Sequence, residues 1–67
     1  MLIKKSVTIK KHRTSLLLEK EFWDALEKIS KDKNCSVQDL IAEIDIDRKS
    51  SLASTTRVFI LQYFTCN

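Results

Sequence analysis

The sequence predicts a mainly α-helical fold with a short β-ribbon and an extra C-terminal helix, built as an intertwined homodimer. Three observations support this fold class. One short segment near the N-terminus has the alternating pattern of a strand, and the segments after it have the i, i+3, i+4 spacing of helices. The chain has only 67 residues, and a chain of this size buries about 60% of its unfolded surface on folding, which leaves a marginal core. A second copy is the natural source of additional core.

The predicted ribbon strand covers about residues 13–18, RTSLLL. Side chains alternate between the two faces of a strand, so one face would hold Thr14, Leu16 and Leu18. The other face would hold Arg13, Ser15 and Leu17. We expect the first face to be buried, since the opposite register would put an unpaired guanidinium into the core.

Residues 6–10 alternate as well, with Val7 and Ile9 on one face. The pattern leaves open whether they form an extra strand in a hairpin with the ribbon strand. A tight turn at Lys11 and His12 would favour Gly or Asn at positive φ, and the chain contains no Gly. Without a hairpin, residues 1–12 form a basic N-terminal arm.

A first amphipathic helix is predicted over about residues 20–33. Its apolar stripe consists of Phe22, Ala25, Leu26 and Ile29. Trp23 lies at the edge of this stripe, where an aromatic side chain is typical of core or dimer packing. Asn34 is suited to the left-handed conformation that ends many helices.

Two further helices are predicted after a short turn. The second covers about residues 37–45, with Ser36 as its N-cap and an apolar stripe formed by Val37, Leu40, Ile41 and Ile44. A polar break over residues 45–51 separates it from residues 52–64, which are apolar on nearly every side. We interpret this last segment as a buried helix, although its VFILQYF end also has strand propensity.

One strand and its helices cannot close a sheet, because an isolated strand is unstable in water. Pairing with the same strand of a second copy would give an intermolecular antiparallel two-stranded ribbon, packed on the helices of both chains. We therefore expect no stable folded monomer. Such a ribbon also fits the major groove of DNA.

Positive charge is concentrated at the N-terminal end. The net charge is +3, but residues 1–13 contain five basic residues and no acid, whereas residues 14–67 contain seven basic and nine acidic residues. This asymmetry is typical of a polyanion binder, with nucleic acid the commonest partner and an anionic membrane surface the next. Leu2 and Ile3 supply too little apolar area for stable membrane anchoring. A solvated tail is the alternative without a partner.

Several classes of function are not expected. The chain has no Gly-rich phosphate loop and no nucleophile with a matching base, so an enzyme is not predicted and no cofactor is implied. His12, Cys35 and Cys66 match no zinc spacing and no disulfide framework, which favours a cytoplasmic chain with free thiols. We interpret His12 as a phosphate neighbour or plain surface residue and Cys35 as a turn residue.

The run from His12 to Asp45 resembles the ribbon-helix-helix family that includes the Arc and Met repressors. It reads HRTSLLLEKEFWDALEKISKDKNCSVQDLIAEID. More narrowly, SVTI at residues 6–9 followed by HRTS at residues 12–15 is similar to a bacterial subgroup with a Phe-Trp-containing helix. About three-quarters of the chain is covered when the C-terminal helix is included.

The resemblance implies a dimeric, sequence-specific DNA-binding protein that regulates transcription. Alternate ribbon residues would read bases, here Arg13, Ser15 and Leu17. The start of the second helix would grip phosphate through the free backbone amides of Ser36, Val37 and Gln38. Further phosphate contacts would come from the basic arm, through Lys5, Lys10 and Lys11.

The chain departs from the family pattern in three places. Leu17 stands where a polar base reader is usual and could contact only a thymine methyl. Lys11 stands where the subgroup has Gly, and the helix over residues 52–64 is additional. That helix suggests an alternative function, an antitoxin-like dimer that binds a partner protein through its C-terminal segment. Operator sequence, effector, direction of regulation and further assembly on DNA are left open.

Overall fold

The structure is a computed structural model that describes residues 1–65. The chain forms an antiparallel β-hairpin followed by three helices, which confirms the predicted order of a short β-ribbon and helices, including the additional C-terminal helix. The ribbon forms within one chain, whereas the sequence predicted a ribbon between two chains. The hairpin strands are β1 (Leu2–Ile9) and β2 (His12–Glu19). The helices are α1 (Lys20–Asp32), α2 (Val37–Ile46) and α3 (Leu52–Thr65). Cys66 lies outside the described residues.

The hairpin answers the question that the sequence left open for residues 6–10. They belong to the strand β1, which pairs with β2 over eight residue pairs from Leu2 opposite Glu19 to Ile9 opposite His12. The predicted basic arm is therefore a strand and a turn. A second copy pairing with the free edge of β2 would extend this sheet to four strands.

A two-residue turn formed by Lys10 and Lys11 closes the hairpin, with φ of 51° and 70°. Two positive φ angles give the twist that a hairpin needs, and Asn-Gly usually supplies them. A lysine in this conformation costs roughly 1–2 kcal/mol. The turn was expected one residue later, at Lys11 and His12. It forms without Gly or Asn because the cross-strand pairs and the buried side chains of the hairpin offset its cost.

The inner face of the hairpin forms one side of the core. Val7, Leu16 and Leu18 are buried there, within a single chain. The prediction that Thr14 is buried with them is wrong for this chain alone, because Thr14 is exposed. At this end of the hairpin α2 lies against β1, which leaves the β2 side uncovered.

Helix α1 packs on the hairpin through Trp23, Leu26 and Ile29, which are all buried. Trp23 was expected at the edge of the apolar stripe, yet it is only 4% exposed, and its Nε1 donates to the Ile3 carbonyl oxygen over 2.9 Å. The helix ends as its sequence predicts. Asn34 has φ 60°, and the Cys35 N–H donates to the Ser30 carbonyl oxygen at 2.9 Å.

Helix α2 begins at the predicted N-cap, where the Ser36 Oγ accepts a hydrogen bond from the Asp39 N–H at 3.0 Å. Its buried face contributes Leu40, Ile41 and Ile44 to the core. The three residues follow the predicted stripe, and Val37 is half-buried beside them.

Helix α3 is buried on one side only, in contrast to the prediction of a helix that is buried all round. Leu52, Thr56 and Ile60 face the core. Val58, Leu61 and Phe64 are 50%, 58% and 44% exposed. The reason is that the single chain has no layer beyond α3.

An ion pair joins α3 to the end of the hairpin. Arg57 Nη2 lies 3.1 Å from Glu19 Oε1. Hydrogen bonding from the backbone of Glu19 and the nearby Arg57 guanidinium lower the pKa of Glu19. This acid therefore belongs to the helix contact at the far end of β2 from the turn.

The Thr56 hydroxyl is the basis of a stability prediction. The residue is fully buried, and Oγ1 has no hydrogen-bond partner among the described residues. Replacing it by a methyl group of the same shape removes a desolvation cost. We expect Thr56→Val to raise the free energy of unfolding by about 1 kcal/mol, as measured by urea denaturation.

Thr55 provides the matched control for this substitution. It is only partly buried, and its Oγ1 lies 3.4 Å from Ser50 Oγ. Thr55→Val should give no such gain. Equal gains at the two positions would show that general apolarity of α3, rather than the orphaned hydroxyl, sets the effect.

Candidate nucleic-acid interface

The outer face of the hairpin brings the predicted base readers together. Directly opposed residues of an antiparallel pair share a face, so this face contains Arg13 beside Thr8, Ser15 beside Ser6, and Leu17 beside Lys4. All six are exposed. These six form a surface of mostly hydrogen-bonding side chains with one apolar residue, Leu17, and no acid. The same face continues at the far end from the turn with Leu2 opposite Glu19.

Three of these residues were missed from the sequence. Lys4, Ser6 and Thr8 belong to β1, whose pairing with β2 was left open, so they could not be assigned to the same face as Arg13. The alternation of SVTI at residues 6–9 carried the signal. A two-residue turn after Ile9 sets the pairing register, and this register makes Thr8, Ser6 and Lys4 the cross-strand neighbours of the predicted base readers.

The tip of the hairpin is the most basic part of this surface. Lys10 and Lys11 form the turn, and His12 and Arg13 follow directly in β2. All four side chains are exposed. A groove-binding ribbon would thus carry cations at its leading end, close enough to a duplex to contact phosphates.

Lys5 is oriented differently from the other basic residues of the hairpin. It lies opposite Leu16 and therefore on the inner side of the sheet. Its Nζ is 5.0 Å from the centre of the Trp23 ring, a distance typical of a cation–π contact. The structure does not bring Lys5 onto the same face as Arg13.

The start of α2 lies next to the hairpin. The Gln38 side chain binds the backbone of Thr8 twice: Oε1 accepts from the Thr8 N–H at 3.1 Å, and Nε2 donates to the Thr8 carbonyl oxygen. Thr8 is opposite Arg13. The contact therefore brings the N-terminus of α2 to the residue pair that contains the strongest candidate base reader.

The backbone amides at this helix start are suited to an anion. The first intrahelical hydrogen bond is donated by the Leu40 N–H to the Ser36 carbonyl oxygen, at 3.0 Å, so the amides of Val37 and Gln38 precede the helical ladder. Helix N-termini bind phosphate through such groups. Asp39 in the first turn carries a negative charge that offsets part of the favourable field of the helix N-terminus for an anion.

Other chemistries find little support in the described part of the chain. Across residues 1–65, no three His, Cys, Asp or Glu side chains lie together as a metal ion would need. None of the helices over the same residues combines the length and apolarity that crossing a membrane requires.

A family model described as a ribbon-helix-helix domain matches residues 2–64. No curated protein and no solved structure matches the chain. The matched range includes β1 as well as β2 and the three helices almost to the end of α3.

Proposed function

The chain belongs to the ribbon-helix-helix family, and we propose that it is a sequence-specific DNA-binding protein that regulates transcription by reading the major groove. Proteins of this family are generally DNA-binding regulators of transcription and not enzymes. The SVTI and HRTS motifs lead us to assign it to the bacterial subgroup that they characterise. The lack of a disulfide framework in the sequence leads us to infer a cytoplasmic protein.

The observation that carries this proposal is the outer face of the hairpin. Arg13 can donate two hydrogen bonds to guanine O6 and N7, Ser15 can bond to several bases, and Leu17 can contact a thymine methyl. Thr8, Ser6 and Lys4 lie beside them on the same face. A two-stranded ribbon fits the width of the major groove with such a face toward the base edges.

Phosphate contacts would come from both sides of that face. We assign them to Lys10 and Lys11 at the hairpin tip and to the start of α2, through Ser36, Val37 and Gln38. Lys5 can contribute charge from the flank of the hairpin. These contacts would position the ribbon without reading sequence, whereas Arg13 and Ser15 would specify the site.

We infer that the protein binds DNA as a homodimer joined at the free edge of β2. Thr8 directs its backbone N–H and carbonyl groups to Gln38, away from β2. Its cross-strand neighbour Arg13 therefore directs the same groups away from β1, and Ser15 and Leu17 follow by alternation. These edge groups can pair with a second β2, which would cover Thr14 and bring two copies of Arg13 onto one sheet.

The proposed function is tested by the salt dependence of binding to a duplex selected from genomic DNA. Fluorescence anisotropy with the labelled selected duplex gives the affinity. If a dimer neutralises some 6–10 phosphates, the affinity should fall by roughly 10³- to 10⁵-fold between 50 and 200 mM salt. Failure to enrich any fragment, or an affinity that ignores salt, would contradict the proposal.

Binding of a partner protein through α3 is the second candidate function. Val58, Leu61 and Phe64 are exposed on a helix with only one charged residue, Arg57. Exposed apolar surface of this kind is typical of interaction sites. A chain that binds no duplex at 50 mM salt would favour this function, with residues 52–64 as the contact.

A further inference from the structure

Gln38 joins the two parts of the proposed DNA interface. We propose that it is a positioning residue for sequence recognition, which holds the start of α2 against Thr8 so that phosphate grip and base reading engage one DNA site together. This inference rests on the proposed function. It assigns to the Gln38 side chain a role separate from the phosphate contact of the Gln38 backbone amide.

The Gln38 side chain binds the edge of β1 in the way that the backbone of a neighbouring strand would. A side-chain amide has a carbonyl oxygen and an NH₂ group, and Gln38 uses the first to accept from the Thr8 N–H and the second to donate to the Thr8 carbonyl oxygen. Both backbone groups of Thr8 are thus satisfied at the outer edge of β1. The two residues are 30 positions apart in sequence, so the bonds link separate elements.

The packing beneath this contact and the two hydrogen bonds constrain the spacing in different ways. Val7 is buried between the hairpin and the helices, and apolar burial of this kind stabilises the contact without a preferred direction. Hydrogen bonds require distances within a few tenths of an ångström and near-linear angles. The two Gln38 bonds therefore add a directional constraint on where the α2 amides stand relative to the base-reading face.

The position of Thr8 makes this spacing relevant to specificity. Thr8 and Arg13 are direct cross-strand neighbours, and the Ser36 cap lies two residues before Gln38. A specific complex needs Arg13 at a base edge while the start of α2 reaches a phosphate. Binding to random DNA needs no such coincidence, because phosphate contacts can form in any register.

The test compares Gln38→Met with Gln62→Met. Methionine is close to glutamine in length and flexibility but cannot make the two bonds. Gln62 is exposed on α3, outside the proposed DNA interface, and its side chain makes no hydrogen bond to either strand within residues 1–65, so it is the matched control. We expect Gln38→Met to weaken binding to the selected duplex about tenfold, which corresponds to about 1.4 kcal/mol. On random duplex of the same length the change should stay under about twofold, and Gln62→Met should change neither affinity.

Two further measurements separate positioning from a general loss of stability. In the Arg13→Ala background, Gln38→Met should cost much less than in the wild-type background, since the two residues would act on one step. Amide hydrogen exchange of Thr8 in the free protein should accelerate in Gln38→Met and stay unchanged in Gln62→Met. Gln38→Asn, which keeps the amide but shortens the side chain by one methylene, should behave like Gln38→Met.

The outcomes distinguish this inference from the proposed function. Wild-type protein that binds no duplex overturns the DNA-binding function and this role with it, even if Thr8 exchange responds. Wild-type protein that binds specifically, with Gln38→Met losing equally on selected and random duplex, overturns the positioning role alone. Additive effects of Gln38→Met and Arg13→Ala, or unchanged Thr8 exchange, would also overturn it.

Discussion

Arg13→Ala should weaken binding to a selected duplex by about 1–3 kcal/mol and binding to random duplex much less. Arg13 is the one arginine on the outer face of the hairpin. Only the bidentate contact with guanine distinguishes the two duplexes, so its loss should reduce specificity first. Fluorescence anisotropy against both duplexes at one salt concentration measures the difference.

Arg13→Lys is the control for charge. Lysine keeps the positive charge but lacks the planar fork of donors, so it should restore binding to random duplex and only part of the specific affinity. Both variants should unfold at the wild-type temperature, because Arg13 is exposed. Equal losses on the two duplexes for Arg13→Ala would show that the ribbon does not read bases through this residue.

Replacing Lys10 by Asn and Lys11 by Gly should stabilise the protein and weaken its binding to DNA. Both lysines have positive φ, and Asn-Gly is the sequence best suited to such a turn. We expect a gain of about 1–2 kcal/mol in the free energy of unfolding. We also expect a fall in affinity on selected and random duplex alike, with a shallower salt slope, because phosphate contacts are lost.

A double alanine variant separates the two effects. Changing Lys10 and Lys11 to Ala removes the same charges but keeps Cβ atoms in an unfavourable conformation. It should therefore lose DNA affinity like the Asn-Gly variant without the gain in stability. If the Asn-Gly variant bound DNA as tightly as wild type, the lysines would have no part in the interface.

The Asn-Gly variant is expected to gain stability but lose DNA affinity, and this opposition offers a reason why lysines occupy the turn. Residues in sparsely populated backbone regions tend to persist where function uses them. Here the strained positions carry two of the five basic residues in the first 13. The protein would then be less stable than it would be with Asn-Gly at the turn, and the lysines would supply positive charge at the tip of the ribbon.

Local patterns predicted much of this fold. Ser36 caps α2 and Asn34 ends α1 as expected, because capping depends on one or two side chains and the adjacent backbone. The alternation of residues 13–18 assigned Leu16 and Leu18 to the core and Arg13, Ser15 and Leu17 to the outer face. Periodicity sufficed wherever one face of an element meets the core.

The rest depended on contacts between distant segments. The turn at Lys10 and Lys11 contradicts local preference and forms because the strands on either side pair and pack. The one-sided burial of α3 follows from the number of layers in the chain, which residues 52–64 do not specify. The bonds between Gln38 and Thr8 link positions with no shared pattern, and only the packed arrangement of α2 on β1 brings them together.

Because the hairpin closes within one chain, the concentration of the protein should affect dimer formation rather than folding. Strands joined by a two-residue turn pair early, since little chain entropy is lost in bringing them together. Leu16 and Leu18 are already covered before a second copy arrives. We therefore expect a chain that folds on its own, in place of the expectation from an isolated ribbon strand that no stable folded monomer exists. Folding would be first-order, and only the doubling of the DNA-reading surface would be second-order in concentration. Below the dissociation constant of the dimer, occupancy of a DNA site would rise with the square of the amount of chain, so a modest change in synthesis would produce a steeper change in binding.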